Sequence, residues 1–151
     1  MTTVFDVPAD RLIELLTEEL KTRPELNRAD WMAYVKTGRH REKRPMDPEW
    51  YYKRLAAVLR KVYVHGPIGS SRLSAYFGGS ADRGVKPNRA TKGSGSIARY
   101  SLKQLEQAGL IITDGHKGRR IAPEGQRLLD NTAHKVLKEM IKETPEMAKY
   151  D

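Results

Sequence analysis

The order of helical and strand patterns along the chain predicts a mainly α-helical fold of the winged-helix class. Residues 48–122 show three helical patterns, of which the second is short, followed by two β-type runs around a turn rich in glycine and positive charge. Helix, short helix, longer helix and β-hairpin in this order are typical of a winged helix, whose hairpin forms the wing. Helical patterns at both ends predict additional terminal helices.

The first helix is predicted over residues 8–21. Asp6 is expected to be its N-cap and Pro8 to lie in its first turn, and its apolar residues follow helical spacing: Leu12, Ile13, Leu15, Leu16 and Leu20. Residues 22–47 carry glycine, prolines and the basic run KTGRHREKRP, which predicts mostly irregular chain with a short helix near Trp31–Val35. We expect this segment to be a solvated linker.

The second helix is expected to begin at Asp47 or Pro48 and to end at Gly66. Its apolar stripe should face the core and consists of Tyr51, Leu55, Val58, Leu59 and Val62. The other face is basic and should be exposed, with candidate binding residues Trp50, Lys53, Arg54, Arg60 and Lys61. Two interpretations of the tryptophan stay open, because it could close the edge of the core or stack on a base or ribose.

Ser70 or Ser71 is expected to cap a short third helix that ends near Phe77. Residues 78–93 then form a glycine-rich stretch with hardly any apolar residues and four candidate binding residues, Arg83, Lys86, Arg89 and Lys92. Since such a stretch cannot bury itself, it predicts a loop that becomes ordered against nucleic acid, with a merely solvated loop as the alternative.

Ser94 or Ser96 should cap the next helix, which Gly109 ends and on which Arg99 and Lys103 share one basic face. The runs LIIT and RRIA predict the two strands of the wing, with Lys117, Arg119 and Arg120 on its projecting turn. A last helix should begin at Pro123 and reach about residue 142, before a polar tail of residues 143–151. Residues 1–151 are therefore expected to form a single winged-helix domain, with its core over 48–142.

The charge balance favours a phosphate-rich partner. Lys and Arg number 28 against 19 Asp and Glu, which gives a formal charge of +9 and a pI near 9.8. The absence of cysteine excludes disulfides and thiol chemistry, and the four histidines lie in different predicted elements without ligand spacing. We therefore expect no enzyme, no metal and no cofactor. The chain has no signal-peptide pattern and no apolar run of about 20 residues, so a soluble protein without membrane attachment is expected.

Several blocks of the chain resemble a known family. The blocks are EWYYKRLAA, YFGGSADRGVKP, GSGSIARYSLKQLEQAGLI and GRRIAPEGQRLLD, together with Asp6 and WMAYVKTG earlier in the chain. In order and spacing they resemble the small-subunit ribosomal protein family S-nineteen-e of archaea and eukaryotes. The short form, without insertions, is similar to archaeal members.

The resemblance implies a winged-helix protein of the small-subunit head that contacts ribosomal RNA (rRNA) and neighbouring ribosomal proteins in the cytoplasm, without catalytic activity and as a monomer when free. It also implies a part in small-subunit assembly and rRNA maturation. The residues that carry over are Trp50, Arg54, Arg60, Gly78, Gly79, Arg83, Gly84, Pro87, Ser96 and Arg99. Arg89 and Ala90 depart from a usual histidine and aromatic, and Ala122 stands where a capping threonine is usual.

The leading hypothesis is a structural ribosomal component that binds rRNA through the basic helix, the loop and the wing. The alternative is a winged-helix DNA-binding transcriptional regulator that reads a major groove with the helix after Ser96. A third hypothesis is a protein-interaction module. On the first hypothesis, Arg54→Ala or Arg60→Glu should leave thermal unfolding nearly unchanged, because both side chains are expected to lie outside the core.

Overall fold

The computed structural model describes residues 2–150, which contain five α-helices, two 3-10 segments and two β-hairpins. In chain order the α-helices and strands are α1 (Ala9–Lys21), α2 (Trp50–His65), α3 (Ser70–Tyr76), β1 (Gly79–Arg83), β2 (Lys86–Thr91), α4 (Gly95–Gln107), β3 (Ile111–Thr113), β4 (Arg119–Ile121) and α5 (Pro123–Glu143). The 3-10 segments are Asp30–Ala33 and Pro145–Tyr150. No helix within the described residues is long and apolar enough to cross a membrane.

The predicted winged-helix arrangement is confirmed. Helices α2, α3 and α4 are followed by the wing, in which β3 and β4 pair antiparallel with Ile111 opposite Ile121. A bridge between Ile68 and Arg119 ties the wing to the chain between α2 and α3. The terminal helices α1 and α5 pack against α2 and against each other, as the extra helical patterns predicted.

Helix α2 lies at the centre of the core. Its predicted apolar stripe is buried along the whole helix: Tyr51, Leu55, Val58, Leu59 and Val62. Leucines from α1, α4 and α5 pack onto it, among them Leu16, Leu102 and Leu129, each of which has no exposed surface. The 3.6-residue spacing of apolar side chains is therefore sufficient to place the core residues of the long helices.

The helix starts agree only in part with the capping predictions. Ser94 caps α4, and its Oγ accepts a hydrogen bond from the backbone N–H of Ile97 at 3.4 Å. The prediction that Asp6 caps α1 was wrong, since its carboxylate accepts instead from the N–H and hydroxyl of Thr3. The cap of α3 was also wrong, because Gly69 is the N-cap and no side chain serves it.

The glycine-rich stretch is a β-hairpin, so the prediction of a loop was wrong. Strands β1 and β2 pair antiparallel from Gly79 opposite Thr91 to Arg83 opposite Lys86, with an irregularity before the turn. Gly84, with φ of 70°, supplies the left-handed turn residue that an L side chain rarely adopts. The prediction that the stretch buries little was right, because both strands are largely exposed. Backbone pairing, and not an apolar face, defines this hairpin, which is therefore named the basic hairpin.

Residues 22–47 are not a solvated linker. Leu26 and Met32 are about 1% exposed and belong to the core. Gly38 forms a β-bridge with Gly93, and the carbonyl of Thr37 accepts from the N–H of Ser94 at 2.9 Å. The segment thus closes against the base of the basic hairpin, and its 3-10 turn agrees with the short helix predicted near Trp31.

Candidate nucleic-acid interface

A concave groove runs along the basic hairpin. Its volume is about 880 Å³, and its lining includes Arg83, Arg89 and Lys92, all predicted from the sequence, together with Arg39. Lys86 lies on the same hairpin and is exposed, without contributing to the groove. All four lining cations are exposed: Arg83 and Arg89 lie on the paired strands, Lys92 directly follows β2, and Arg39 lies on the segment that closes against the hairpin. The groove, called the hairpin groove below, therefore concentrates positive charge on a backbone framework.

Local hydrogen bonds hold the hairpin groove together. The Nε of Arg83 donates to the carbonyl of Pro87 at 3.0 Å, which spans the turn. Asp82 is the carboxylate in the lining, and its Oδ1 accepts from the N–H of Gly84 at 2.9 Å. Four cations against this one carboxylate keep the net charge of the groove positive. A concave, positively charged surface of this kind attracts phosphate groups.

Lys92 connects the hairpin with the wing. A second concavity of about 470 Å³ is lined by Ser71, Arg72, Lys92 and Lys117, together with Gly69 and Ala75. The ammonium of Lys92 donates to the hydroxyl of Ser71 at 3.2 Å. Two candidate residues that lie 25 positions apart in the sequence, Lys92 and Lys117, therefore border one surface depression.

The wing divides its three candidate cations between two roles. Lys117 and Arg120 are exposed, as predicted. The Nε of Arg119 instead donates to Oε2 of Glu106 on α4 at 3.0 Å. Hydrogen bonds from Thr113 and Arg119 lower the pKa of Glu106, so the pair is ionised at neutral pH. Arg119 thus anchors the wing to α4, and the prediction that it lies on the projecting turn was wrong, because it is the first residue of β4.

Arg99 and Lys103 follow the prediction for α4. Both side chains are exposed, one helical turn apart on the same face. Neither forms an ion pair with a carboxylate within the described part of the chain. Their charges are therefore available to an external partner.

Arg54 is not the exposed cation that the helical spacing of α2 predicted. Its guanidinium carbon lies 4.1 Å from the ring centroid of Phe77, which follows α3. Burial lowers the pKa of Arg54 to about 10, and the nearby charge of Arg41 acts in the same direction. The exposed basic face of α2 is consequently narrower than the sequence predicted, because the end of α3 covers its centre.

Two further cations of α2, Lys53 and Lys61, also have partners within the protein. The ammonium of Lys53 pairs with Oδ2 of Asp47 at 2.5 Å, and that of Lys61 lies 4.9 Å from the centroid of the Tyr76 ring. The bond with Asp47 raises the pKa of Lys53. Arg60 is half-buried, and its Nε has no hydrogen-bond partner among residues 2–150. Because this Nε is itself buried, any contact of Arg60 with an external partner would use the exposed part of its side chain.

Trp50 packs at the edge of the core. Its ring meets that of Tyr51 edge to face, with 5.9 Å between centroids, and the side chain lies against the buried cluster. It keeps some exposed surface and lines a groove beside the start of α2. Of the two interpretations offered for Trp50, core closure describes its packing, and its exposed part remains open to contact.

Arg39 is the site residue that sequence reasoning missed. It lies in the run KTGRHREKRP, whose charge was noted but interpreted as a linker. The structure explains its position through Gly38, because a Cβ there would approach the His40 ring at 2.6 Å and the backbone of Gly93 at 3.1 Å. Only a glycine permits this closeness, which brings Arg39 to the hairpin groove.

Fold and surface together define the class of protein. The chain is a winged-helix protein with a second, basic hairpin, and residues 2–150 contain no cluster of side chains suited to a metal ion. It belongs to the family described as ribosomal protein S19e, whose model matches residues 3–139. As a member of a ribosomal protein family, it is a structural component and not an enzyme.

Curated relatives match over nearly the full length of the chain. A Thermoplasma acidophilum protein named small ribosomal subunit protein eS19 is 43% identical over 150 residues, which cover 99% of both chains. The Aeropyrum pernix protein of the same name is 40% identical over 152 residues, again 99% of both. Schizosaccharomyces pombe eS19A is 39% identical over 137 residues, 91% of this chain and 95% of the relative. The DNA-binding alternative finds no support in these matches.

Proposed function

We propose that the chain occupies the head of the small ribosomal subunit, where it binds rRNA through the hairpin groove, the wing and the exposed face of α4. The observation that carries this proposal is the convergence of four cations, Arg39, Arg83, Arg89 and Lys92, on one groove whose single acid is already hydrogen-bonded. The relatives' name supports the small subunit as the place of assembly.

The mode of binding follows from the chemistry of the groove. Arginine offers paired donors that match a phosphate, and the lining contains no large apolar or aromatic side chain on which a base could stack. Recognition should therefore depend on phosphate position and RNA shape. Arg54 contributes by positioning the end of α3 next to the hairpin, while the half-buried Arg60 contacts RNA through the exposed part of its side chain.

In the cell, we propose that the protein is a monomer before it joins the subunit, with neighbouring ribosomal proteins as further partners in the cytoplasmic ribosome. Its incorporation would stabilise the local rRNA fold and so support subunit assembly and rRNA maturation. A basic surface that is completed by RNA is consistent with each of these steps, since the same phosphate contacts serve incorporation and the finished particle.

The test compares binding to a small-subunit rRNA head fragment over a range of salt concentrations. Arg83→Gln combined with Arg89→Gln should reduce the salt slope by about two, because each lost phosphate contact removes about one released counterion. The matched control is Arg127→Gln with Lys138→Gln, two exposed cations of α5 outside the hairpin groove. An equal loss of RNA affinity in both double variants would show that only net charge matters, and would contradict binding in the hairpin groove.

A further inference from the structure

A smaller groove lies where the segment before α2 meets the start of that helix. Its volume is about 320 Å³, and it shares no lining residue with the hairpin groove. Six residues of apolar type, two arginines and one aspartate line it: Arg28, Met32, Ala33, Arg44, Pro45, Met46, Asp47, Pro48 and Trp50. It is called the Met–Trp groove below, and apart from the exposed part of Trp50 the predicted interface does not use it.

The floor and rim of the Met–Trp groove differ in burial. Met32 is 1% exposed and belongs to the core, and Trp50 packs against the same core. Met46 is 92% exposed, although its side chain is one of the most apolar of the segment. Met46 therefore offers an apolar side chain at the rim of the groove, and methionine adapts readily to the shape of a partner.

The two arginines frame this groove and keep donors free. The Nη1 of Arg28 donates to the carbonyl of Pro48 at 3.0 Å, and that of Arg44 to the carbonyl of Ala33 at 2.9 Å. Each guanidinium has five N–H donors, so one backbone contact fixes its position and leaves others available. Neither arginine pairs with a carboxylate anywhere in residues 2–150.

The acid of the lining is already engaged. Asp47 accepts from the ammonium of Lys53 at 2.5 Å and from the N–H of Glu49 at 2.9 Å. These bonds lower its pKa, with the Lys53 contact as the largest cause, so Asp47 stays ionised but directed at its own partners. The charge of Arg28 and Arg44 is therefore left to complement carboxylates from outside.

We propose that the Met–Trp groove binds an extended, acidic segment of a neighbouring ribosomal protein. An apolar side chain of that segment packs against Met46 and Trp50, and flanking carboxylates bind Arg28 and Arg44. The volume is at the low end for ligand sites, about 300 to 1,000 Å³, which suits one large side chain and not a helix. This inference rests on the proposed function, because it requires the chain to stand among other ribosomal proteins.

A peptide fits the Met–Trp groove better than an RNA nucleotide does. Six of the nine lining residues are apolar, whereas the hairpin groove offers four cations and only two alanines as apolar side chains. Arginine binds a carboxylate with two parallel hydrogen bonds, and the apolar floor then contributes by burial. The two grooves therefore divide the surface into a phosphate-binding and a peptide-binding part.

The decisive experiment places the photo-crosslinking residue benzoylphenylalanine at Met46 in chains assembled into small subunits. Irradiation and mass spectrometry should identify a peptide of another ribosomal protein that carries Asp or Glu next to the crosslinked position. Crosslinks to rRNA would overturn the proposal in favour of a nucleotide, and so would a yield no higher than that from the same residue at exposed Lys138 of α5. Benzoylphenylalanine at Val85, on the turn of the basic hairpin, should crosslink to rRNA and reports the proposed function separately.

A charge-neutral variant tests the role of the arginines. Arg28→Gln with Arg44→Gln keeps amide donors for the carbonyls of Pro48 and Ala33 but should lower the crosslink yield by about tenfold, the effect of losing about 1.4 kcal/mol. The Arg28→Lys and Arg44→Lys pair retains the charge and should recover part of the yield. Unchanged yield in the glutamine variant would overturn the proposal.

The free chain provides a readout that does not depend on ribosomes. A synthetic pentapeptide of alternating aspartate and leucine should shift the methyl resonance of Met46 and the indole resonance of Trp50, and its asparagine counterpart should not. The glutamine variant should lose these shifts, and their persistence there would contradict the carboxylate contacts. If the chain fails to enter subunits, the proposed function fails, while this titration still decides the Met–Trp groove.

Discussion

The guanidinium carbon of Arg54 lies 4.1 Å from the centroid of the Phe77 ring, and this contact joins the middle of α2 to the end of α3. Ser74 and Ser101 line the small space around it. Arg54 forms no ion pair with a carboxylate within residues 2–150, and burial lowers its pKa to about 10. Its charge is therefore held in place mainly by the aromatic face.

Two replacements of Arg54 should separate the contribution of its packing to stability from the contribution of its charge. Because Arg54 packs against Phe77 and does not lie outside the core, the sequence-based expectation that Arg54→Ala leaves unfolding nearly unchanged no longer holds. Arg54→Ala should lower the free energy of unfolding by about 2 kcal/mol, because it removes a partly desolvated cation–π contact and the packing of the aliphatic stem. Arg54→Met keeps much of the packing and removes an unfavourably buried charge, so the change should stay within about 1 kcal/mol. Urea unfolding at pH 7 measures both, and an equal loss in both variants would contradict this division.

The close approach at the base of the basic hairpin predicts that Gly78 cannot be replaced without cost. A Cβ on Gly78 would lie 2.1 Å from the carbonyl oxygen of Thr91. Gly78→Ala should therefore lower stability by about 1 to 3 kcal/mol and loosen the hairpin. Thermal unfolding and amide hydrogen exchange of β1 and β2 measure the two effects.

Gly69→Ala is the matched control for this test. Gly69 has a φ of −91°, and no heavy atom lies within 4 Å of a Cβ built there. Gly69 is the N-cap of α3, where glycine is preferred over alanine, so this variant should lose no more than about 1 kcal/mol and leave the hydrogen exchange of β1 and β2 unchanged. If Gly78→Ala were as stable as Gly69→Ala, the close approach to Thr91 would not define the base of the hairpin.

Periodicity predicted the long helices because several local signals agreed. In α4 the cap Ser94, the buried Leu102 and Leu105 and the terminal Gly109 all indicate the same element. Where a side chain had competing partners, the prediction was wrong, as for Asp6, which binds Thr3. The basic hairpin was missed for another reason. Its strands are defined by backbone pairing alone, without an apolar alternation that the sequence could display.

The sequence predicted those site residues whose exposure follows from the lack of apolar neighbours. Arg83 and Arg89 lie on a stretch with no apolar face, so they remain exposed in any arrangement. The burial of Arg54 depends on where Phe77 is placed, which is a tertiary contact between separate helices. Arg39 likewise reaches the hairpin groove through the distant bridge between Gly38 and Gly93. Helical spacing contains no information about such contacts.

The link between α4 and the wing predicts a specific pH dependence. The Thr113 hydroxyl and, second, Arg119 lower the pKa of Glu106 below its ordinary 4.5. A lowered carboxyl pKa contributes stability that is present above the unfolded value and is lost as the pH falls through the folded value. Glu106→Gln should therefore cost no more than about 1 kcal/mol at pH 7, since the pair is partly solvated. Its stability curve should converge with that of the wild type in acid.

Urea unfolding between neutral and acidic pH measures this difference. The control is Glu139→Gln on α5, whose side chain is exposed and has no ion pair among the described residues. A constant difference between Glu106→Gln and the wild type at every pH would show that the effect is packing and not ionisation.

Leu105 on α4 tests the core that the sequence predicted. Its side chain has no exposed surface, so Leu105→Ala should lower the free energy of unfolding by about 2 to 5 kcal/mol. Lys103→Ala, exposed on the same helix, should change it by no more than about 0.5 kcal/mol. Urea denaturation distinguishes the two, and a loss under 1 kcal/mol for Leu105→Ala would contradict its place in the core.

A buried hydrogen-bond chain fixes α4 against α2 and predicts a measurable cost for removing one oxygen. The hydroxyl of Tyr51 donates to Oε1 of Gln104 at 2.5 Å, and Nε2 of Gln104 donates to the carbonyl of Asn27 at 2.6 Å. Tyr51→Phe leaves Oε1 buried without this donor and should cost about 1 to 3 kcal/mol in urea unfolding. Tyr52→Phe is the control, because the Tyr52 hydroxyl forms no hydrogen bond within residues 2–150. Equal stability of the two variants would show that the chain of bonds does not hold α4 in position.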